Sequence, residues 1–489
     1  MSDFSQPETR LYIDGRFREA RSGARYENID PATEEAIGSC ADAGPEDMEE
    51  AIAAARRAFD ESDWSHDVAL RKRCLEQLHE GLVAEKEHLR LQTVREVGSP
   101  IQLTYGPQMD SVIGDMQWVI DLLGRYHWEQ ELPIHEFFGM KSRRIVRREA
   151  MGVVALISPW NFPLQVTMAK TIPALAAGNT GVLKPAPDTP YHATFLARVA
   201  DEYTDIPPGV LNVVTSEDPA RVGELLTADP RVDMVSFTGS TAVGRRIMER
   251  SAETLKKVFL ELGGKSANIV LDDADFAAVL PSTAMTCVHA GQGCAITTRL
   301  LLPRARYEEG IAIVEEAFRS VNYGDPMDPN NIQGPLINAR QRDRVLSMIQ
   351  SGIDEGAKLL VGGGRPAHLE KGFFVEPTLF GDVDNSMRIA QEEIFGPVLV
   401  VIPYEDDDDA VRIANDSKYG LSGAVWSADE ERALTLARRM RTGTVGVNGG
   451  MWFGPDSPFG GYKHSGLGRE MGVQGFEEYL ETKTIGLRV

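Results

Sequence analysis

Basic charge, cysteine and long apolar runs are all scarce in this chain, and each scarcity removes a class of function. Among 489 residues, 51 lysines and arginines are set against 73 aspartates and glutamates, a net charge of −22. Nucleic acid and anionic membranes bind through basic surface, so neither is expected as a partner. The four cysteines, Cys40, Cys74, Cys287 and Cys294, are too few and too dispersed for a disulfide framework or a zinc cluster. The nine histidines include no HExxH or HxxxH spacing, so no metal site is expected. No apolar run reaches the roughly 18 residues of a membrane span, and the polar stretch Met1–Arg10 has no apolar signal core. A cytoplasmic location is the expectation that follows.

What is present is the balance of a globular protein, 42% hydrophobic and 25% charged, in a chain too long for a single core. Leu11–Phe17 reads as a strand and turn. Pro45–Asp60 places Met48, Ile52, Ala55 and Phe59 at helical spacing, and Ala69–Glu96 places Leu70, Cys74, Leu78 and Leu82 on one stripe. From residue 150 the pattern changes to β/α alternation, with short apolar strands at Val153–Ile157, Gly181–Lys184, Val210–Thr215 and Met234–Phe237 and a helix over Ala242–Arg250. Units of about 25 to 30 residues suit βαβ crossovers, so a parallel, Rossmann-like sheet is predicted. A second α/β region begins at Glu261, with candidate strands Ala267–Leu271, Leu359–Val361, Val398–Val401 and Thr444–Val447. The acidic run Glu405–Asp409 reads as the first turn of a helix, where the macrodipole favours carboxylates.

Three residues carry chemistry. Cys294, in Gly291-Gln292-Gly293-Cys294, is a candidate nucleophile, and Glu261, in Leu260-Glu261-Leu262-Gly263-Gly264-Lys265, a candidate base. A thiol and a separate carboxylate are what covalent capture of a carbonyl followed by hydrolysis requires. Asn161, in Pro159-Trp160-Asn161-Phe162-Pro163 after the first apolar strand, offers an uncharged donor to an oxyanion. Singly, each has a plain alternative: an inert core thiol, a solvated carboxylate, a turn asparagine. A free thiol has a pKa near 8.5, so Cys294 needs help, for which a helix start after Gly293 is expected. His289 stands near the nucleophile but shows no partner that would make it a base.

Together with Phe237-Thr238-Gly239-Ser240-Thr241, Glu392-Glu393-Ile394-Phe395-Gly396-Pro397 and Ser457-Pro458-Phe459-Gly460-Gly461-Tyr462-Lys463, these segments resemble the NAD(P)-dependent aldehyde dehydrogenase superfamily over nearly the whole chain. The resemblance implies an α/β fold with a Rossmann-like cofactor domain (1–124 and 147–260), an α/β catalytic domain (261–469) and a small β oligomerisation flap (125–146 and 470–489). It also implies a homodimer or homotetramer. The activity implied is oxidation of an aldehyde to its acid through a Cys294 thioester that Glu261-activated water hydrolyses. The rivals are a CoA-acylating semialdehyde dehydrogenase and a catalytically silent protein on the same scaffold.

By the same resemblance NAD is the cofactor, with NADP as a possible second. Gly239, Ser240 and Gly244 would meet the pyrophosphate at a helix start. Lys184 would reach the adenosine ribose, Gln341 the outer ribose, Glu393 the nicotinamide ribose and Phe395 the ring edge. Ile157, Ser158, Pro159, Trp160, Phe237, Leu262 and Gly263 would border the cofactor. The family often has a glutamate three residues after the ribose lysine; here Pro187 stands there, and strict selection for NAD loses its usual basis. The substrate tunnel would be lined by Phe162, Val166, Ala169, Val288, Gly293, Ala295, Trp452 and Phe459. Small residues at Val166, Ala169, Gly293 and Ala295 imply a wide, apolar tunnel and a bulky apolar or aromatic aldehyde.

Overall fold

The computed structural model describes residues 6–489; of the polar start, residues 1–5 lie outside the described residues. The chain opens with an antiparallel hairpin, Leu11–Ile13 paired with Arg16–Arg18. Asp14 and Gly15 join them with φ of 54° and 71°, the two left-handed residues of a tight Asp-Gly turn. Two long helices follow, Pro45–Glu61 and Val68–Val97. Asp67 caps the second by accepting from Leu70 N, and Gly98 ends it at φ 67°. Both helices match the apolar stripes of the sequence within a residue or two.

Five parallel strands form the centre of an eight-stranded sheet: Val153–Ile157, Thr180–Lys184, Leu211–Val213, Met234–Gly239 and Lys257–Leu262. Their continuous apolar character follows from burial on both faces, and Val153, Val154, Ala155 and Leu156 are wholly buried. The chain runs outward through the first three, then returns to place Met234–Gly239 on the other side of Val153–Ile157. The crevice between the carboxyl ends of those two strands is therefore the topological switch point, where ligands bind in open α/β sheets. Register brings Ile157 level with both Lys184 and Phe237, and Gly239 level with Leu262, so the expected cofactor residues lie along one edge.

The second sheet has seven strands, in the order Lys358–Val361, Thr378–Gly381, Val398–Tyr404, Thr297–Pro303, Ser266–Val270, Gly423–Trp426 and Gly446–Val447, all parallel except the first. The sequence reading assigned no strand to Lys257–Leu262, Thr297–Pro303, Thr378–Gly381 or Gly423–Trp426. Charged or proline residues interrupt two of these and the other two are four residues long, so their apolar signal is weak. Lys257–Leu262 matters most, because Glu261 lies within it: the start of the second region drawn at Glu261 falls inside the last parallel strand of the first sheet. The strand Gly466–Leu467, from far along the chain, pairs antiparallel with Leu260–Glu261. Glu129–Phe137, Met140–Ala150 and Leu480–Arg488 form a separate three-stranded sheet. Asp406 caps the helix Asp407–Asn415, so the acidic run is a helix start, further tied down by Arg412, Arg432 and Arg439.

Candidate active site

Cys294, Glu261 and Asn161 border one cavity of about 1150 Å³. Cys294 lies in the loop between the 3-10 segment Leu280–Gly291 and the strand Thr297–Pro303. No helix starts after Gly293, contrary to the sequence expectation; Gly293-Cys294-Ala295-Ile296 is too short a span before the strand to form one. The loop is packed tightly from behind. A Cβ on Gly291, whose φ is 69°, would come within 2.0 Å of the Gly396 carbonyl.

Electrostatics keep the thiol protonated in this arrangement. Burial pushes the Cys294 thiol well above its ordinary pKa, and the carboxylates of Glu261, Glu393 and Glu470 add to the rise. Glu261 is itself pushed up to about 8, first by burial and then by Glu470, against the opposing pull of Lys170 and of a hydrogen bond with Cys294. Its Oε1 is buried without a hydrogen-bond partner. A carboxyl poised near neutrality and facing a thiol has the properties of a general base.

Asn161 is held on three sides. Its Nδ2 donates to the Gln292 carbonyl at 2.9 Å, and its own carbonyl accepts from Gln108 Nε2 and from His289 Nε2, both at 2.9 Å. One Nδ2 hydrogen remains for a ligand oxygen. His289 is thus not poised as a base toward Cys294.

Behind Glu261 lies a pair that sequence reasoning missed. Lys170 Nζ donates to Glu470 Oε1 at 2.5 Å, lies 3.5 Å from Ser236 Oγ, and stands 4.9 Å from the centroid of the Phe259 ring. Tyr479 OH and Ser236 Oγ are 2.9 Å apart. Lys170 is the single charged residue in the 15-residue helix Pro163–Ala177, and that isolation is the signal that marks it.

Of the expected cofactor residues, Pro159, Trp160, Gly239, Ser240, Leu262 and Gly263 border the cavity, as do Gln341, Glu393 and Phe395. Ile157, Ser158, Lys184, Pro187, Phe237 and Gly244 do not. Phe237 packs under Gly239, and Gly244 lets the helix Thr241–Ser251 close on Leu262. Ser158 Oγ accepts from Thr167 Oγ1 at 2.9 Å, and Lys184 donates to the Pro185 carbonyl at 3.2 Å. Gln341, expected at a ribose, donates through Nε2 to the Phe395 carbonyl at 2.8 Å and so props the loop in which Phe395 has the unusual φ of 58°. Arg344 supports the same loop through the Glu393 and Ile394 carbonyls. Glu393 Oε1 accepts from Gly264 N at 3.0 Å, and a Cβ on Gly263 would lie 2.0 Å from Glu393 Oε2.

Phe162, Val166, Ala169, Gly293, Ala295, Trp452 and Phe459 line the cavity as the sequence suggested. Val288 does not: it sits at a kink in the segment before the nucleophile, away from the cavity wall. Trp452 and Phe459 stack with centroids 5.6 Å apart and planes 5° from parallel. The helix Asp110–Arg125 supplies a wall that the sequence did not reveal, through Val112, Met116, Trp118 and Val119.

A nicotinamide dinucleotide fits the crevice on this structure's own features. Ser240 caps the helix Thr241–Ser251, whose free amides open at the switch point, and Thr238 Oγ1 is buried beside them without a partner. The Aldehyde dehydrogenase family model matches residues 17–485. A 3-succinoylsemialdehyde-pyridine dehydrogenase from a Pseudomonas species is 43% identical over 479 residues, covering 97% of this chain and 98% of that one. Among solved structures, an aldehyde dehydrogenase of Mycobacterium tuberculosis complexed with NAD+ superposes with a TM-score of 0.93 at 43% identity, covering 98% of each chain. A mutant of aldehyde dehydrogenase C from Pseudomonas syringae, complexed with NAD+ and octanal, gives 0.92 at 41% identity, covering 98% of this chain and 96% of that one.

Proposed function

The chain belongs to the aldehyde dehydrogenase family, and from that premise we propose that it oxidises a bulky, largely apolar aldehyde to the acid by way of a Cys294 thioester that water hydrolyses. The observation that carries this reading is the convergence of a thiol, a base of raised pKa and an amide donor on one apolar cavity. The Cys294 thiol gives up its proton to solvent, a loss that the cationic ring of a bound cofactor would favour, and the sulfur adds to the carbonyl carbon. The free Nδ2 hydrogen of Asn161 then meets the developing oxyanion, a contact worth about 3 to 4 kcal/mol of barrier in comparable sites. NAD+, when bound, supplies a cationic ring and the acceptor for the hydride leaving that carbon. Glu261 takes a proton from water as the water oxygen adds to the acyl carbon; the Cys294 sulfur then leaves, regains that proton from Glu261, and the acid is released. The pyrophosphate would lie on the amides at Ser240, with Glu393 and Phe395 beside the nicotinamide end and Lys184 beside the adenosine. Glu261 also favours hydrolysis over acyl transfer to a thiol such as CoA, which needs no base for water.

Substrate size is read from the walls. Val166 and Ala169 present small side chains, and the stacked Trp452 and Phe459 with Phe162 keep the cavity apolar. We expect kcat/KM to rise from acetaldehyde to benzaldehyde and octanal, by about 0.8 kcal/mol per buried methylene. Filling the space with Ala169→Trp should remove the preference. Equal or better values for acetaldehyde in the wild type would sink the idea.

Cofactor choice is expected to be permissive. Pro187 offers neither charge nor acceptor against a 2′-phosphate, while burial lowers the Lys184 pKa only to about 8, so the amine can still protonate beside an added phosphate. NADP should therefore support measurable turnover beside NAD, and Pro187→Glu should shift preference to NAD by about 1 to 2 kcal/mol. Complete rejection of NADP by the wild type would show that another residue selects.

For assembly we infer a cytoplasmic homo-oligomer. The sheet of Glu129–Phe137, Met140–Ala150 and Leu480–Arg488 leaves Ile134, Phe137, Phe138 and Leu487 exposed, an apolar edge suited to a second copy. We assign 125–146 with 470–489 to that role, the eight-stranded sheet to cofactor binding and the seven-stranded sheet to the catalytic unit. All four cysteines are free, as a reducing compartment would keep them. Among the described residues, no helix is long and apolar enough to cross a membrane.

A further inference from the structure

Asn161 lies in a segment with nothing regular to hold it. Residues 158–162 run between a strand and a helix, and Pro159 and Pro163, without backbone N–H groups, flank the asparagine. Its placement therefore depends on side chains that reach in from elsewhere. Two do, and both end on the same atom: Gln108 Nε2 and His289 Nε2 each donate to the Asn161 carbonyl at 2.9 Å, using both of its lone pairs. We propose that His289 and Gln108 are positioning residues for the oxyanion donor, jointly setting where the Asn161 amide stands relative to Cys294. This rests on the reading of Cys294 and Asn161 given above.

The geometry around His289 supports a dedicated part. Its imidazole is fully buried, packs edge-on against Phe162 with centroids 5.4 Å apart, and leaves Nδ1 without a partner. Burial lowers its pKa to about 4, so at neutral pH it carries one hydrogen, and an acceptor-only carbonyl requires that hydrogen on Nε2. The backbone is as unusual as the side chain. His289 and Ala290 are consecutive non-glycine residues at φ 52° and 55°, a left-handed pair that persists only where surroundings impose it. His289 N donates to the Ile332 carbonyl at 3.0 Å, and the His289 carbonyl accepts from Gln292 N and Nε2, both at 3.1 Å.

Gln292 closes the circuit two residues before the nucleophile. Its Nε2 also donates to the Pro335 carbonyl at 3.3 Å, its Oε1 accepts from Ile337 N at 2.9 Å, and its own carbonyl takes the Asn161 Nδ2 bond at 2.9 Å. Nucleophile loop and oxyanion donor are thus tied into one buried network. Neither Gln108 nor His289 borders the cavity, so both act through Asn161 and not on a substrate.

The test separates donor placement from thiol chemistry. The burst of NADH in the first turnover needs the oxyanion donor, whereas alkylation of Cys294 by iodoacetamide forms no oxyanion. His289→Leu and Gln108→Met, each removing the donor at similar volume, are expected to slow the burst ~10- to 100-fold, the scale of an ångström of misplacement. Alkylation should stay within about twofold of wild type, as should KM for NAD+. His289→Gln places an amide N–H donor at about the reach of Nε2 and should recover most of the burst. Should His289→Leu fail to fold, Gln108→Met reads the same bond from the other side. Unchanged bursts in the foldable variants, burst and alkylation falling together, or a Gln variant as slow as Leu would each overturn the proposal. The wild-type burst itself reads the proposed activity, so a wild type without one would refute that reading separately.

Discussion

Glu261→Gln is expected to release about one equivalent of NADH per active site and then stall, while Cys294→Ala releases none. The amide keeps the shape of the carboxyl but cannot take a proton from water, so the acyl group stays on sulfur. Steady-state turnover should fall by about 10²- to 10⁴-fold, the usual contribution of a positioned base. The pH dependence follows from the same group. The Glu261 pKa is raised, to about 8, and hydrolysis needs the ionised form; turnover limited by hydrolysis should therefore climb as pH rises through that value and fade below it. The glutamine variant should lose that limb, because it has no proton to titrate there. A rapid-quench or stopped-flow burst followed by a steady-state pH profile checks both parts. Full steady-state activity in Glu261→Gln would falsify the division of labour between capture and hydrolysis.

Lys170→Met is expected to cost about 3 to 5 kcal/mol of stability, the penalty for leaving one member of a buried ion pair without its partner. Lys170 is wholly buried and Glu470 nearly so, and the two meet at 2.5 Å. The lone Glu470 must then either remain charged in the interior or take up a proton, and each route costs free energy. Lys170→Met with Glu470→Leu removes both charges and should regain most of the loss, since apolar replacement of a buried pair is often neutral. Urea unfolding midpoints of the single and double variants, compared as a cycle, measure the coupling. If the single variant unfolds at the wild-type midpoint, the pair does not bear on stability.

Much of the fold was legible because its signals are local. The helices Pro45–Glu61 and Val68–Val97 carry apolar stripes, and Val153–Ile157 is a pure apolar run, so period alone identifies them. Lys257–Leu262 escaped because the carboxylate at Glu261 breaks its apolar run; the residue that matters for function hid the strand that carries it. The wall formed by Trp118 and Met116 escaped for another reason. An apolar helix face looks the same in sequence whether it packs on a core or borders a cavity.

The sequence by itself determined the kinds of group available: a thiol, a carboxylate and an amide in segments whose order marks the family, and small residues along a tunnel. Only the tertiary structure decided what those groups are like in place. Cys294 has no helix behind it and a thiol pushed up by burial and by three carboxylates, Lys170 meets Glu470 across 300 residues of chain, and His289 turns out to grip Asn161. The reason is physical. Residue type and spacing specify which contacts a chain is able to make, but pKa, orientation and hydrogen-bond partner depend on burial and on neighbours brought from distant positions, and those exist only once the chain has closed on itself.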